Sequence, residues 1–332
     1  MNRRQIVFLI AKVAFAILVL TWLAHKVDLS RVWTALRNAR EAPIAFGIVV
    51  SLTTVLIAGW RWQRLLGIFG IAIPLKSLIC IVPIGGFFAM FLPGSTGDDL
   101  TRMLYISRLA PGRVGEACTT VALDRCIGLS SILFLALLGL PLQWSVLANS
   151  NQTYWIALII LAGGIGVCLG GAIFFLAGHP THRWFERRLR SRPAHTIRDE
   201  AARIWGLLCD NKVIVGKVIA AALIAQLLQC ISFYFAGVSV GIDRPLLIWL
   251  SFLPIVFAAN ALPFTIAGIG VREYLLILFL GVIAGIENDR ALAASFIMFA
   301  MMLAISLLGG LLYIFYRPQQ KAESAVELGP PE

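Results

Sequence analysis

Seven charged residues lie in or beside long apolar segments of this 332-residue chain. They are Asp98, Asp99, Arg102, Asp124, Arg125, Arg272 and Glu273. A charge at the centre of a membrane costs roughly 2.5–3.5 kcal/mol on insertion scales, so several unpaired charges would oppose insertion by on the order of 10 kcal/mol. We therefore expect these side chains to converge. Arginines and helix N-termini favour a phosphate, whereas the acids could fix the arginines, bind a cationic head group or carry a proton.

A purely structural interpretation of the same charges exists. Asp98 and Asp99 could cap a half-helix in its first turn, and the other charges could form a buried ion-pair network. Capping accounts for those two acids, but it leaves Arg102, Asp124, Arg125 and Arg272 unexplained. We expect Arg102 and Arg272 to be held by acids from other elements. Asp124 and Glu273 are the leading candidates.

Other kinds of site have little support in the sequence. The six cysteines show no CxxC pair, and three histidines fall in a basic loop, a context that does not favour a metal site. No Ser/His/Asp or Cys/His arrangement and no phosphate-binding loop of the Walker type is present. We expect no catalytic residue, no metal and no cofactor.

The composition indicates an all-α, polytopic membrane protein, since 59% of the residues are hydrophobic and only 14% are charged. We predict a single membrane domain over residues 1–316 and a short flexible tail over 317–332. The first apolar run is expected to be a retained signal anchor. The runs long enough to cross are 6–24, 43–60, 119–140, 154–178, 213–237 and 291–316.

Two regions, 75–110 and 246–285, each contain an apolar run, a polar break and a second short run. At an offset of 170 residues they share several residue types. Phe87, Ala89, Leu92, Pro93 and Arg102 match Phe257, Ala259, Leu262, Pro263 and Arg272. We predict an internal duplication with halves 43–140 and 213–310. Each region is then a re-entrant hairpin, and the tips PGSTGDD (93–99) and PFTIAGIG (263–270) meet near the midplane.

The distribution of basic residues predicts the orientation. The loop 179–212 holds eight Lys/Arg against four acids, whereas 141–154 holds no charge. This asymmetry predicts that 179–212 and both termini are cytoplasmic. In this topology the two hairpins enter from opposite faces, so the repeat is inverted. We expect the membrane to be the inner membrane of a bacterium. The segment 25–42 is an exception, because it carries four Lys/Arg on the outer side and contains a short amphipathic, interfacial stretch. The basic loop could lie on anionic lipid or be solvated, and both interpretations stay open.

Three stretches carry a family resemblance that extends over nearly the whole chain. LPGSTGDDLTRM, ALDRCIGL and LPFTIAGIGVREY resemble the lysylphosphatidylglycerol synthase transmembrane-region family, whose members are flippase-like membrane proteins. The resemblance implies a lipid or substrate site at the positions that match its motifs. These are Pro93, Gly97, Asp98, Arg102, Asp124, Arg125, Pro263, Gly268, Gly270, Arg272 and Glu273. Gly97-Asp98-Asp99 stands where the family more usually has Gly-Gly-Asp, so Asp99 is a candidate too.

The resemblance implies that an anionic or phosphate-bearing lipid, such as a phospholipid, an aminoacyl-lipid or a polyprenyl phosphate, is the partner. In the full-length synthases a soluble aminoacyl-transferase domain follows; here a stand-alone form without aminoacylation is expected. One alternative is a non-catalytic scaffold that gathers envelope-synthesis enzymes through the basic loop. An enzyme that modifies lipid head groups is a further alternative, although a nucleophile or metal set is missing. Nucleic acid is not an expected partner, because the net charge of +11 is spread over short loops.

Overall fold

The computed structural model of the chain describes residues 29–90, 96–148, 151–176, 195–260 and 270–316. These residues are largely helical and contain no β-strand. The predicted first span 6–24, the tail 317–332 and the first part of the basic loop, 179–194, lie outside the described residues. The helices in chain order are α1 (Leu29–Arg37), α2 (Glu41–Ile68), α3 (Leu75–Ala89), α4 (Thr96–Leu109), α5 (Val114–Gly139), α6 (Trp144–Ala148), α7 (Asn151–Leu176), α8 (His195–Asp210), α9 (Lys212–Ser239), α10 (Leu246–Asn260), α11 (Val271–Ala284) and α12 (Asn288–Phe315).

Five helical segments are long and apolar enough to cross a membrane. They are Glu41–Ile68, Pro111–Gln143, Tyr154–Leu176, Lys212–Ser239 and Asn288–Phe315. Each contains or nearly coincides with one of the five predicted spans after the first. The all-α, multi-pass membrane fold predicted from composition is therefore confirmed.

The two interrupted regions form pairs of short helices. α3 packs against α4, and α10 packs against α11. These helices have 14 or 15 residues, which is fewer than the roughly 20 that a single crossing needs. A proline lies inside the first helix of each pair, Pro83 in α3 and Pro254 in α10. This arrangement is compatible with re-entrant hairpins, and entry and exit on one side stay a prediction.

Corresponding helices of the two predicted halves make corresponding contacts with the opposite half. The two long helices α2 and α9 pack against each other, α12 packs on α3, and α5 packs on α10. Gly309 of α12 and Gly139 of α5, 170 residues apart, allow the last two of these contacts. A Cβ on Gly309 would lie 1.9 Å from the Pro83 carbonyl oxygen, and one on Gly139 would lie 2.2 Å from that of Ser251. Only glycine permits helices to approach this closely.

The turns that lead into the broken helices also correspond. Gly70 (φ 68°) ends α2 and Gly241 (φ 78°) ends α9, and the two glycines lie 171 residues apart. The N–H of Ile71 donates to the Leu66 carbonyl, and the N–H of Ile242 donates to the Gly237 carbonyl, both at 3.0 Å. A 6→1 backbone hydrogen bond that follows a glycine in the left-handed conformation is the Schellman motif. Such a match supports the duplication, which stays a prediction.

The correspondence extends to the amphipathic helices that precede α2 and α9. RVWTALRN (31–38) aligns with RIWGLLCD (203–210) at an offset of 172. These residues lie outside the predicted halves 43–140 and 213–310, so a duplicated unit would include α1 and α8. In an inverted repeat the two helices belong to opposite faces. That would give a reason for the basic residues of 25–42 on the outer side.

The basic loop ends in a helix that packs on the bundle. Ile204, Leu207 and Cys209 of α8 join the apolar core formed by α2, α3 and α5. The Trp205 ring meets the Phe174 ring edge-on, with the ring centroids 5.2 Å apart. The apolar face of α8 therefore packs on protein, and contact of the basic loop with anionic lipid or with water stays a prediction.

Candidate functional site

The structure brings five of the predicted site residues together at the start of α4 and the middle of α5. Asp98, Asp99 and Arg102 lie in the first two turns of α4, and Asp124 and Arg125 lie on α5. Arg272 and Glu273 begin α11 in the other half of the chain. Pro93, Pro263 and Gly268 lie outside the described residues.

Asp124 is the centre of the first group, which we call the Asp124 cluster (Arg61, Asp98, Arg102 and Asp124). Its carboxylate is buried and accepts two hydrogen bonds from Arg61 of α2, from Nε at 2.6 Å and from Nη2 at 2.9 Å. Arg102 Nη1 donates to the same carboxylate at 3.1 Å, as expected from the sequence. Arg102 Nε donates to Asp98 Oδ1 at 2.7 Å. The cluster joins α2, α4 and α5 through charge-assisted hydrogen bonds.

Neighbouring residues fix the orientation of Arg102. Its guanidinium lies over the Trp62 ring, 5.6 Å from the ring centroid. The Trp62 indole N–H donates to the Thr120 hydroxyl at 3.0 Å, so the ring is held against α5. A cation over the face of a held aromatic ring is attracted by the ring quadrupole.

Two glycines make room for the start of α4. A Cβ on Gly85 of α3 would lie 2.1 Å from Asp98 Oδ1, so a side chain there would displace the carboxylate. A Cβ on Gly97 would lie 2.3 Å from the Phe88 carbonyl oxygen. The candidate residue Gly97 therefore acts through close helix approach, because it lets the first turn of α4 lie against the end of α3.

Arg125 and Asp99 form the more exposed edge of this site. Arg125 Nε lies 3.9 Å from Asp99 Oδ2, a distance too long for a hydrogen bond. The two side chains are 33% and 30% exposed, compared with 11% for Arg102. A charged ligand can therefore approach this edge more easily than the centre of the cluster.

The second group is fully enclosed. Arg272 and Glu273 side chains are only 4% and 2% exposed. Arg272 Nη2 donates to Glu273 Oε1 at 2.6 Å, and Arg272 Nε donates to the Ser295 hydroxyl of α12 at 3.0 Å. Glu273 Oε2 accepts the Gly270 N–H at 2.6 Å, which caps α11 where Gly270 has a φ of 92°.

The expectation that an acid from another element holds Arg272 is therefore wrong. Its partner is the adjacent residue of its own helix, because the arginine folds back onto the capping carboxylate. Among the described residues the Arg272 side chain is therefore almost completely enclosed, with its charge compensated by Glu273.

The structure adds residues that the sequence analysis did not include in the site. Arg61 directly follows the predicted span 43–60 and is buried against Asp124. One signal was available in the sequence, since the apolar residues Leu65, Leu66 and Ile68 follow Arg61. Ser295, Thr120 and Gly85 gave no signal, because small polar residues and glycines are common in membrane helices.

Comparison with known proteins shows the family of this chain. The sequence model of the family described as "Lysylphosphatidylglycerol synthase TM region" matches residues 9–310, which include both groups of charged residues. A search of curated proteins finds no match to the chain. Because the family match extends over far more than half of its length, the chain belongs to the lysylphosphatidylglycerol synthase TM region family and is a multi-pass integral membrane protein.

Proposed function

We propose that this protein binds an anionic, phosphate-bearing lipid of the cell envelope and moves its head group between leaflets. A charged head group cannot cross hydrocarbon unaided, because it would lose its water without replacement. The observation that carries the proposal is the buried Asp124 cluster at the N-terminal end of the half-helix α4. Paired interruptions in two halves of a membrane chain are typical of a transport site.

The head group would contact the exposed edge of the site first. Arg125 offers a partly exposed cation, and the first N–H groups of α4 have no intrahelical acceptor. Arg61 and Arg102 are balanced by Asp98 and Asp124, so the cluster itself has no net charge. A phosphate gains Arg102 only by replacing Asp98, the more exposed of its two acid partners. Return of Asp98 to Arg102 then releases the lipid.

Arg272 and Glu273 have a positioning role in this proposal. Their ion pair fixes the first turn of α11 through the Gly270 N–H, and Ser295 ties it to α12. The start of α11, which follows PFTIAGIG in the sequence, is thereby held in one place. In two inverted halves, rocking around a fixed site exposes it first to one face and then to the other.

The test is lipid exchange in liposomes that carry a fluorescent phosphatidylglycerol, read with a membrane-impermeant quencher. The parent protein should make inner-leaflet lipid accessible to the quencher, and Arg102→Gln should abolish this. Arg64→Gln is the matched control, because Arg64 stacks on Trp60 of the same helix as Arg61, with 5.2 Å to the ring centroid. Exchange no faster than in empty liposomes, with several anionic lipids, would refute translocation and favour the scaffold alternative.

We also propose that the chain lies in the bacterial inner membrane with both termini in the cytoplasm. The charge asymmetry between 179–212 and 141–154 supports this orientation. Leu142→Cys, at an exposed position, should be labelled from outside in intact cells, and Glu200→Cys on α8 should not. The reverse labelling pattern would contradict the orientation.

A further inference from the structure

The charges around the start of α4 balance one another. The Asp124 cluster contains two arginines and two carboxylates, and the neighbouring pair of Arg125 and Asp99 adds one charge of each sign. A lipid phosphate that enters this site therefore brings one negative charge in excess. An uncompensated charge is unfavourable in the membrane region, so we expect the protein to neutralise it.

Asp98 is the acid whose counter-charge a phosphate would take. Asp98 Oδ1 accepts a hydrogen bond from Arg102 Nε, and no other donor to this carboxylate is found in the described residues. Asp124 keeps two hydrogen bonds from Arg61 when Arg102 turns away. The Asp98 side chain is 18% exposed and that of Asp124 is 4% exposed, so water reaches Asp98 more easily. A phosphate on Arg102 thus leaves the Asp98 carboxylate without a cation.

Among the described residues, the helices around Asp98 offer no spare cation. Their charged groups next to the site are Arg102 and Asp99 on α4, Asp124 and Arg125 on α5, and Arg61 on α2. Segment 81–89 of α3, which packs on α4, has no ionisable side chain, and neither has 91–95 before α4. Arg61 stays bound to Asp124, and Arg125 already lies beside Asp99. A nearby like charge and a missing counter-charge both favour the protonated form of a carboxyl group.

The second half of the chain differs at the corresponding position. At the offset of 170 that aligns Arg102 with Arg272, Asp98 aligns with Gly268. The carboxylate that Arg272 binds belongs to Glu273, which is only 2% exposed and also caps α11. Because this carboxylate is held from two sides, we assign proton uptake to the first half alone.

We propose that the Asp98 carboxylate takes up a proton each time the site binds an anionic lipid head group, so that lipid and proton cross the membrane together. This inference rests on the proposed function. The proton adds to an oxygen of Asp98 while Arg102 transfers its hydrogen bond to a phosphate oxygen, and no covalent bond of the lipid changes. On release, the proton leaves and Asp98 returns to Arg102. A pH difference across the membrane then drives the lipid toward the more alkaline side.

The first test counts protons. The purified full chain, in detergent, is titrated with dihexanoyl phosphatidylglycerol by calorimetry in buffers that differ in ionisation enthalpy. The phosphodiester of this lipid keeps its single charge around neutral pH, so any proton uptake belongs to the protein. We expect about one proton per bound lipid and a dissociation constant that rises up to about tenfold per pH unit. Binding without proton uptake would overturn this proposal and leave the proposed function intact, whereas no binding would overturn both.

Variants locate the proton. Asp98→Asn imitates the protonated acid, so it should bind the lipid without proton uptake and with the same dissociation constant at each pH. Asp99→Asn should keep the proton uptake, whatever its effect on affinity, and Asp243→Asn is the control at an exposed acid outside the site. Proton uptake that persists in Asp98→Asn, or that is lost in Asp99→Asn, would contradict the assignment to Asp98. The proton count of the parent protein needs no variant, so it decides the question even if Asp98→Asn does not fold.

The second test imposes a pH difference on the liposome exchange assay with fluorescent phosphatidylglycerol. An acidic interior should increase the amount of inner-leaflet lipid that reaches the external quencher, and an alkaline interior should decrease it. Asp98→Asn should lose this dependence, and Asp243→Asn should keep it. Equal exchange under both gradients would overturn proton coupling while supporting translocation. Exchange no faster than in empty liposomes under either gradient would overturn both proposals.

Discussion

Arg61 of α2 and Asp124 of α5 form a two-point ion pair inside the membrane region, with Nε–Oδ1 at 2.6 Å and Nη2–Oδ2 at 2.9 Å. The same carboxylate accepts Arg102 at 3.1 Å. Asp124 therefore compensates two arginines from two different helices. Removal of Asp124 therefore takes a counter-charge from two arginines at once, whereas removal of one arginine leaves the other still paired with Asp124.

Asp124→Asn should lower the free energy of unfolding by about 3–5 kcal/mol, the usual effect of leaving a buried charge without its partner. Arg61→Met combined with Asp124→Leu should recover part of this loss, since replacement of a whole buried pair by apolar residues is often neutral. Unfolding in detergent, followed by circular dichroism, measures both. Arg64→Gln serves as the control, and an Asp124→Asn protein as stable as the parent would show that the cluster is hydrated.

Glu273 should stabilise the fold in two ways, through its charge beside Arg272 and through the hydrogen bond by which it caps α11. Glu273→Gln keeps an oxygen that can accept the Gly270 N–H but leaves Arg272 without a counter-charge, whereas Glu273→Ala removes both interactions. We expect the glutamine variant to lose about 3 kcal/mol of unfolding free energy and the alanine variant to lose more. The unfolding midpoints of the two variants provide the comparison. Equal midpoints would mean that the cap contributes nothing.

Gly139 and Gly309 should tolerate no side chain. A Cβ at either position would overlap a backbone carbonyl of the facing broken helix, which cannot rotate away. Gly139→Ala and Gly309→Ala should each lower stability by about 1–3 kcal/mol, the range for overpacked sites.

The control for this pair is Gly166→Ala on α7, where an added Cβ meets nothing within 4 Å. That substitution should be neutral or should add up to about 1 kcal/mol through helix propensity. Unfolding temperatures of the three variants give the answer. Similar values for all three would contradict the close approach of α5 to α10 and of α12 to α3.

The attachment of α8 can be followed through Cys209. Burial raises the pKa of this thiol, so the thiolate fraction at pH 8 is low and alkylation should be slow, with a rate that increases with pH. The experiment uses a variant in which Cys209 is the only cysteine. In that variant, Arg203→Glu should replace the ion pair with Glu116 by repulsion between two carboxylates. This repulsion should release α8 from the bundle and speed alkylation of Cys209 several-fold. The matched charge reversal Arg37→Glu on α1 should leave the rate unchanged. Rapid alkylation of Cys209 without any charge reversal would contradict the packing of α8 on the bundle.

Much of the architecture could be predicted because it depends on local properties of the chain. Apolar length defines the five described spans, and Gly and Pro near 83–97 and 254–270 define where helices must break. The convergence of Asp98, Arg102 and Asp124 followed from the cost of an unpaired charge in a membrane. These inferences need no knowledge of how one helix is rotated against another.

Partner choice needed the tertiary structure. Helices that are apolar on most sides, such as α5, give no periodic signal for the face they turn inward, so the sequence could not assign Arg61 to Asp124 across 63 residues. Arg272 and Glu273 are adjacent in sequence, and adjacent helical side chains point in different directions. Only the position of Ser295 and the cap at Gly270 brings them together. The sequence determined which charges must be compensated, and helix packing decided which side chains compensate them.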